Sequence, residues 1–108
     1  MTKFLVLYRT TVSSKDQMMG ATPEQMKAGM DAWMAWFKKV GPAIVDGGAP
    51  LGESALIKGK TGSGHIGGYT ILQAKSIDAA KKLLDGHPHF GAPGASIEVI
   101  EILPTPGM

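Results

Sequence analysis

A chain of 108 residues with 44% hydrophobic residues is long enough to build one core, so we expect a single domain over residues 1–108. Eleven basic and nine acidic residues leave a formal net charge of +2, and only Lys38-Lys39 and Lys81-Lys82 are adjacent basic pairs. Nucleic acid binds clustered basic faces, so this scattered charge argues against a nucleic-acid partner. The absence of cysteine excludes disulfides, thiolate metal sites and a cysteine nucleophile.

The N-terminal apolar stretch is too short for the hydrophobic region of a signal peptide and has no small-residue cleavage site. No apolar run approaches the length that is needed to span a bilayer. We therefore predict a cytoplasmic protein that has no membrane partner.

The first predicted element is a strand that is apolar on both faces. Phe4, Val6 and Tyr8 alternate with Leu5 and Leu7, a pattern typical of strands that are covered on two sides. The polar residues that follow, from position 10 to position 20, predict a loop.

A long helix is predicted to begin at Thr22, which can cap it, with Pro23 at the first helical position and Gln25 completing a capping box. Gly41-Pro42 ends this helix. Five apolar residues recur on one helical face, which we predict packs into the core. They are Met26, Met30, Trp33, Met34 and Phe37.

Two short strands are predicted next. Residues 43–48 form a strand that ends at Gly47-Gly48, and residues 54–58 either continue it or form an extra strand. Pro50 between them favours an edge position, since a missing donor does no harm there. A glycine-rich hairpin loop is predicted over residues 58–67.

The last third of the chain predicts a buried central strand at residues 67–74, a helix at residues 77–85 capped by Ser76, and a final strand at residues 96–103. The resulting order β-α-β-β-α-β is the α+β ferredoxin-like split βαβ arrangement, with two helices on one face of a four-stranded sheet. Because the first strand is apolar on both faces, we expect a second copy of the chain to cover the open face and form a homodimer.

Residues 62–67 have the spacing G-x-G-x-x-G, but this motif binds dinucleotides only where a strand turns into a helix. Here it precedes a predicted strand, so we interpret it as part of the hairpin loop. His87 and His89 lie two residues apart, and no carboxylate is spaced to complete a metal site with them. We therefore predict neither a cofactor nor a metal.

Four residues are candidates for contacts to a ligand. His87 and His89 follow the second helix and suit a pocket rim, although an ordinary polar turn is the alternative. Asp46 is unusual in a strand and either faces a cavity or makes the turn before Gly47-Gly48. The hydroxyl of Tyr8 needs a partner on a central strand, in the core or at a ligand.

Several segments together resemble the YCII-related family, and the resemblance covers nearly the whole chain. These segments are the short first strand, Thr22-Pro23-Glu24-Gln25, Gly47-Gly48, Gly67-Gly68-Tyr69, Ser76-Ile77-Asp78-Ala79-Ala80, His87-Pro88 and Ile97-Glu98-Val99. The resemblance implies a dimeric α+β barrel, in which two ferredoxin-like sheets face each other, with a small pocket in each subunit. It also implies acid–base chemistry by a His and an Asp, which is proposed for some members of a family whose activity is largely unassigned.

The chain departs from the family pattern where that chemistry would lie. The position of the family's helix histidine falls near Asp31, and His87-Pro88 replaces an Asp-Pro dipeptide. The Asp-Gly-Pro-Phe motif of one branch would fall at residues 62–66, which have no such tetrapeptide. The resemblance therefore implies the fold and the pocket more than any reaction.

Two functional hypotheses stay open from the sequence. The first is a small-molecule-binding dimer, with possible acid–base catalysis, whose pocket is lined by Tyr8, Asp46, His87 and His89. The alternative is a non-catalytic accessory or sensor module, which would fill that pocket with side chains. Haem or oxygen chemistry is a weaker third hypothesis, because the axial ligand would have to be one of three histidines in predicted loops.

Overall fold

The structure is a computed structural model that describes residues 1–60, 64–92 and 94–106, without the side chains of Ser14 and Lys15. Residues 61–63, which belong to the predicted hairpin loop and G-x-G-x-x-G motif, lie outside the described residues. The strands are β1 (Thr2–Thr10), β2 (Ile44–Asp46), β3 (His65–Ala74) and β4 (Ser96–Glu101), and the helices are α1 (Ser14–Gly20), α2 (Pro23–Val40) and α3 (Ile77–Leu83).

The four strands form one antiparallel sheet in the order β2-β3-β1-β4. This order, with α2 between β1 and β2 and α3 between β3 and β4, is that of the ferredoxin-like split βαβ fold. The predicted α+β fold class is confirmed. β1 and β3 are the long central strands of the sheet. The register of their pairing shifts once, between Tyr8 and Arg9.

The predicted start of α2 is confirmed in atomic detail. The Thr22 hydroxyl accepts a hydrogen bond from the Gln25 amide at 3.1 Å, and the Gln25 side chain accepts one from the Thr22 amide at 2.9 Å. The helix ends at Val40, directly before Gly41 and Pro42. These reciprocal bonds satisfy two backbone donors that would otherwise have no helical partner.

The predicted buried face of α2 is partly wrong. Met26, Met30 and Met34 are 46%, 70% and 62% exposed, whereas Trp36 and Val40 are buried. Trp33 and Phe37 pack partly buried beside them, which gives a core stripe of Trp33, Trp36, Phe37 and Val40. This stripe also has helical spacing, and its aromatic rings remove more apolar area from water than the flexible methionine side chains would.

Two further predictions are wrong. The segment predicted as a loop at residues 10–20 contains α1, because the Ser13 hydroxyl accepts a hydrogen bond from the Asp16 amide and caps a helical turn. Residues 54–58 form no strand. Instead, Pro50 makes an isolated bridge to Gly68, and the Leu51 amide donates to the Gly67 carbonyl at 2.9 Å, so the chain runs along the edge of β3 and then leaves it.

The core lies between the sheet and the helices. Val6, Tyr8 and Leu72 project from the central strands and pack with Trp36 and Leu84. The opposite face of the sheet carries residues that alternate with these, and they are half-buried: Leu5, Leu7, Tyr69 and Ile71. Among the helices that the structure describes, none is long and apolar enough to cross a membrane.

Candidate functional site

Both candidate histidines are placed by a tight turn that follows α3. The His87 amide donates to the Leu84 carbonyl at 3.1 Å, and a 3-10 turn then runs over Pro88–Gly91. His87 caps this turn, because its Nδ1 accepts a hydrogen bond from the His89 amide at 2.9 Å. Both imidazoles are buried, while Phe90 of the same turn is 54% exposed.

The hydrogen bond at Nδ1 fixes the tautomer of His87. A nitrogen that accepts a hydrogen bond carries no proton, so the neutral imidazole carries its proton on Nε2. Nε2 is buried and has no hydrogen-bond partner among the described residues. Buried polar atoms in folded proteins nearly always have a partner, so this N–H donor is the most unusual polar group in the described structure.

Aromatic rings surround the His87 imidazole. The Tyr8 ring stacks on it with centroids 4.9 Å apart, and the indoles of Trp33 and Trp36 meet it edge to face at 4.5 Å and 4.3 Å. Trp33 also contacts the Tyr8 ring at 4.8 Å. We call Tyr8, Trp33, Trp36, His87 and His89 the aromatic–histidine cluster.

Burial keeps two members of this cluster, His87 and Tyr8, uncharged. Desolvation, with a smaller contribution from the neighbouring His89, lowers the pKa of His87 to about 4. Desolvation likewise raises the pKa of Tyr8 to about 12, although the hydrogen bond to Thr70 works against this shift. At neutral pH, therefore, His87 and Tyr8 act as neutral hydrogen-bond donors and not as ions.

The hydroxyl of Tyr8 begins a short hydrogen-bonded chain. It donates to the Thr70 hydroxyl at 2.8 Å, and that hydroxyl donates to the Gly47 carbonyl at 3.3 Å. Asp46 precedes Gly47, and its carboxylate accepts a hydrogen bond from the Gly48 amide at 2.8 Å. Asp46 is exposed and makes the turn, one of the two roles that the sequence left open.

His89 joins the cluster to a surface depression. Its Nε2 lies 2.9 Å from the Arg9 carbonyl and 3.2 Å from the Ser96 carbonyl, so it donates to the ends of β1 and β4 together. Arg9 and Ser96 also line a depression of about 330 Å³. The other residues that line it are Thr10, Thr11, Gly64 and Gly94.

The structure thus brings three of the four predicted site residues into contact, since the Tyr8 ring lies 4.9 Å from His87 and 5.2 Å from His89. Asp46 lies apart at its turn and reaches Tyr8 only through Gly47 and Thr70. Trp36 and Thr70 are neighbours of the site that were not predicted from the sequence. The helical spacing of Trp33, Trp36 and Val40 on α2 could have indicated that Trp36 faces the core.

No family model matches the chain, and no curated protein matches it. Similar chains do occur among solved structures. One is 5-chloro-2-hydroxyhydroquinone dehydrochlorinase from Burkholderia phenoliruptrix AC1100, solved in complex with 2,5-dihydroxybenzoquinone. It is 17% identical to this chain, and the match covers 89% of this chain and 90% of that one with a TM-score of 0.48. The strand order β2-β3-β1-β4 defines the fold of this chain, and the similarity to that enzyme adds no argument to it.

Proposed function

We propose that the protein binds a small organic molecule through the aromatic–histidine cluster and that the ligand's oxygen accepts a hydrogen bond from His87 Nε2. The observation that carries this proposal is the buried Nε2–H, for which the described residues provide no acceptor. Leaving such a donor unpaired costs about 1–3 kcal/mol, and a ligand acceptor would recover that free energy. We also propose that the chain is related to the YCII-related family, which it resembles in sequence, and that it is cytoplasmic.

The cluster suits a planar ligand with a carbonyl group. Trp33 is the partly buried member of the cluster and the others are buried, so Trp33 forms the outer wall, and a ligand enters when this indole moves aside. The rings of Tyr8 and Trp36 then offer flat surfaces for stacking. A neutral imidazole N–H that points at a carbonyl oxygen stabilises negative charge on it, which is the chemistry of enolisation and related acid–base reactions.

One observation favours the non-catalytic module as the second candidate. Trp33, Trp36 and Phe37 pack against one another with ring centroids 5.4–6.5 Å apart and fill the space between α2 and the sheet. A filled interior is typical of a structural core, whereas catalysis requires room for a substrate. Ligand binding at the cluster therefore decides between the two candidates before any reaction is sought.

The test is a titration with acetophenone, a planar carbonyl compound, followed by the NMR signals of the two indole N–H groups. We expect both signals to shift with acetophenone and far less with ethylbenzene, which has a similar shape but no acceptor. His87→Asn keeps an acceptor for the His89 amide but loses Nε2, so it should bind at least tenfold more weakly. His65→Asn, at the exposed start of β3, is the matched control and should bind like the parent.

Equal shifts with both compounds, or equal binding by His87→Asn and the parent, would contradict a hydrogen bond from Nε2. In that case the cluster is an apolar core, and the module becomes the better interpretation.

We also infer that the open face of the sheet pairs with a second copy of the chain. Leu5, Leu7, Tyr69 and Ile71 form a continuous apolar patch on the central strands, and Ile100 extends it onto β4. α2 packs on the other face, against the core residues of β1 and β3. Apolar patches on central strands are commonly interaction surfaces, and identical chains bury them most simply around a two-fold axis.

Leu7→Glu places a carboxylate at the centre of this patch and should convert a dimer into a monomer. Sedimentation equilibrium measures the change directly. Lys3→Glu, on the same face near the start of β1, controls for added negative charge and should stay dimeric. A parent chain that sediments as a monomer at micromolar concentration would overturn the inference.

A further inference from the structure

The depression at the end of β1 is lined by polar residues, one basic residue and glycines. The six described residues that line it are one arginine, two threonines, a serine and two glycines. The Thr10 hydroxyl is buried and already donates to the Val12 carbonyl, so Arg9, Ser96 and the backbone carry the argument for a ligand. None of these six carries a carboxylate. Hydroxyls and backbone amides donate hydrogen bonds to oxyanions, and a guanidinium adds positive charge, so the walls are suited to a negatively charged group.

The Arg9 guanidinium has hydrogen-bond donors that Glu98 does not use. The Nε of Arg9 donates to Glu98 Oε1 at 3.1 Å, and within the described part of the chain neither terminal nitrogen of its guanidinium makes a hydrogen bond. In the single chain the side chains of Arg9 and Glu98 are 40% and 49% exposed. They lie on the sheet face that carries Leu7, with Arg9 beyond Leu7 towards the end of β1. Exposed ion pairs of this kind contribute little net stability, so a ligand oxyanion can compete for the guanidinium.

The backbone of Arg9 is held rigidly although its side chain is exposed. Arg9 lies on the central strand β1 beside the register shift, and its carbonyl accepts the hydrogen bond from His89 Nε2. A charged group on a fixed strand loses less conformational freedom on binding than one on a loop.

Gly94 lies against the Thr11 side chain in the wall of the depression. Gly94 has a φ of +61°, and a Cβ at that position would lie 2.6 Å from the Thr11 side chain. The backbone here approaches the wall of the depression more closely than any residue with a side chain allows. A larger residue at position 94 would therefore displace Thr11 and change this wall.

We propose that this depression is a binding site for an oxyanion, either a carboxylate or a phosphate group, in which Arg9 is the principal ligand and Glu98 is its competitor. The site is separate from the aromatic–histidine cluster, because His89 contributes only its hydrogen bonds to the backbone between them. Anion binding and acetophenone binding can therefore succeed or fail independently.

The test follows the backbone amide signals of Thr11, Gly64 and Gly94 during titration with sodium phosphate and, separately, sodium acetate, at constant ionic strength set with chloride. Arg9→Gln should weaken anion binding at least tenfold. Glu98→Gln removes the competitor and should tighten binding about threefold, as expected for loss of a weak exposed ion pair. A preference for acetate or for phosphate distinguishes the carboxylate from the phosphate source.

Two controls make the result specific. Lys3→Gln removes one positive charge from the same face of the same strand, far from the depression, and should bind anions like the parent. His87→Asn should also bind them like the parent, even though it loses acetophenone. Equal weakening by Arg9→Gln and Lys3→Gln would overturn the proposal in favour of general charge attraction, and so would unchanged or weaker binding by Glu98→Gln.

Discussion

Gly48→Ala is expected to destabilise the fold by about 3–5 kcal/mol, a large part of the free energy of unfolding of a domain of this size. Gly48 has a φ of +75°, where a side chain is strained, and a Cβ there would lie 1.7 Å from the Tyr69 carbonyl oxygen. That oxygen belongs to the central strand β3 and cannot move without disturbing the sheet. Urea unfolding followed by circular dichroism measures the loss.

The neighbouring glycine is a matched control. A Cβ at Gly47 would lie 3.6 Å from the ring of Phe37, which is ordinary van der Waals contact, and its φ is not in the left-handed region. Gly47→Ala should therefore leave the free energy of unfolding within about 1 kcal/mol of the parent value. Equal losses from the two substitutions would show that the turn responds to any added methyl group and that the approach to Tyr69 is not the cause.

Acid should destabilise the protein through His87. Its pKa is about 4 in the folded chain and about 6.5 when unfolded, so between these values the unfolded state binds more protons. The contribution of His87 to stability is complete above pH 6.5 and is lost as the pH falls towards 4. We expect a loss of about 2 kcal/mol between roughly pH 7 and pH 4.5 from this group alone.

His87→Asn isolates this effect, because asparagine can accept the hydrogen bond from the His89 amide but does not titrate. The difference in free energy of unfolding between the parent and this variant should change by about 2 kcal/mol over that pH range, since contributions from the carboxylates cancel. Urea unfolding at several pH values provides the measurement. A constant difference would mean that the buried imidazole takes up its proton as easily as a free one.

The main helices and strands and the ends of α2 could be predicted from local signals in the sequence, and their β-α-β-β-α-β order then indicated the sheet. The capping box at Thr22 and the stop at Gly41 are interactions between neighbours in the chain, and both are present in the structure. The short α1 was missed because its evidence is a single cap at Ser13 in a polar segment. A seven-residue helix has too few turns to show a periodicity.

The orientation of α2 could not be decided from spacing alone. Two apolar stripes with helical period run along this helix, one rich in methionine and one rich in aromatic residues, and the sheet accepts only one of them. The choice depends on the shape that Val6, Tyr8 and Leu72 present from distant parts of the chain. A helical wheel contains no such information.

The candidate site was only partly predictable for a similar reason. Tyr8, His87 and His89 were recognisable as unusual residues, but their contact depends on a turn that brings positions 87 and 89 under a strand about 80 residues earlier. Asp46 was equally unusual, and its local turn accounts for it. The role of Arg9 depends on the end of β4 and on the segment around Gly94, neither of which is near it in sequence.

The exposed methionines have a chemical consequence. All six methionines in the described part of the chain, including Met26, Met30 and Met34, are at least 46% exposed. Oxidation to the sulfoxide disrupts a core when the thioether is buried, because it makes an apolar side chain polar. Here the sulfur atoms are accessible to peroxide without the fold opening, so the methionines of α2 can be oxidised at the surface while Trp33 and Trp36 of the same helix stay packed in the core.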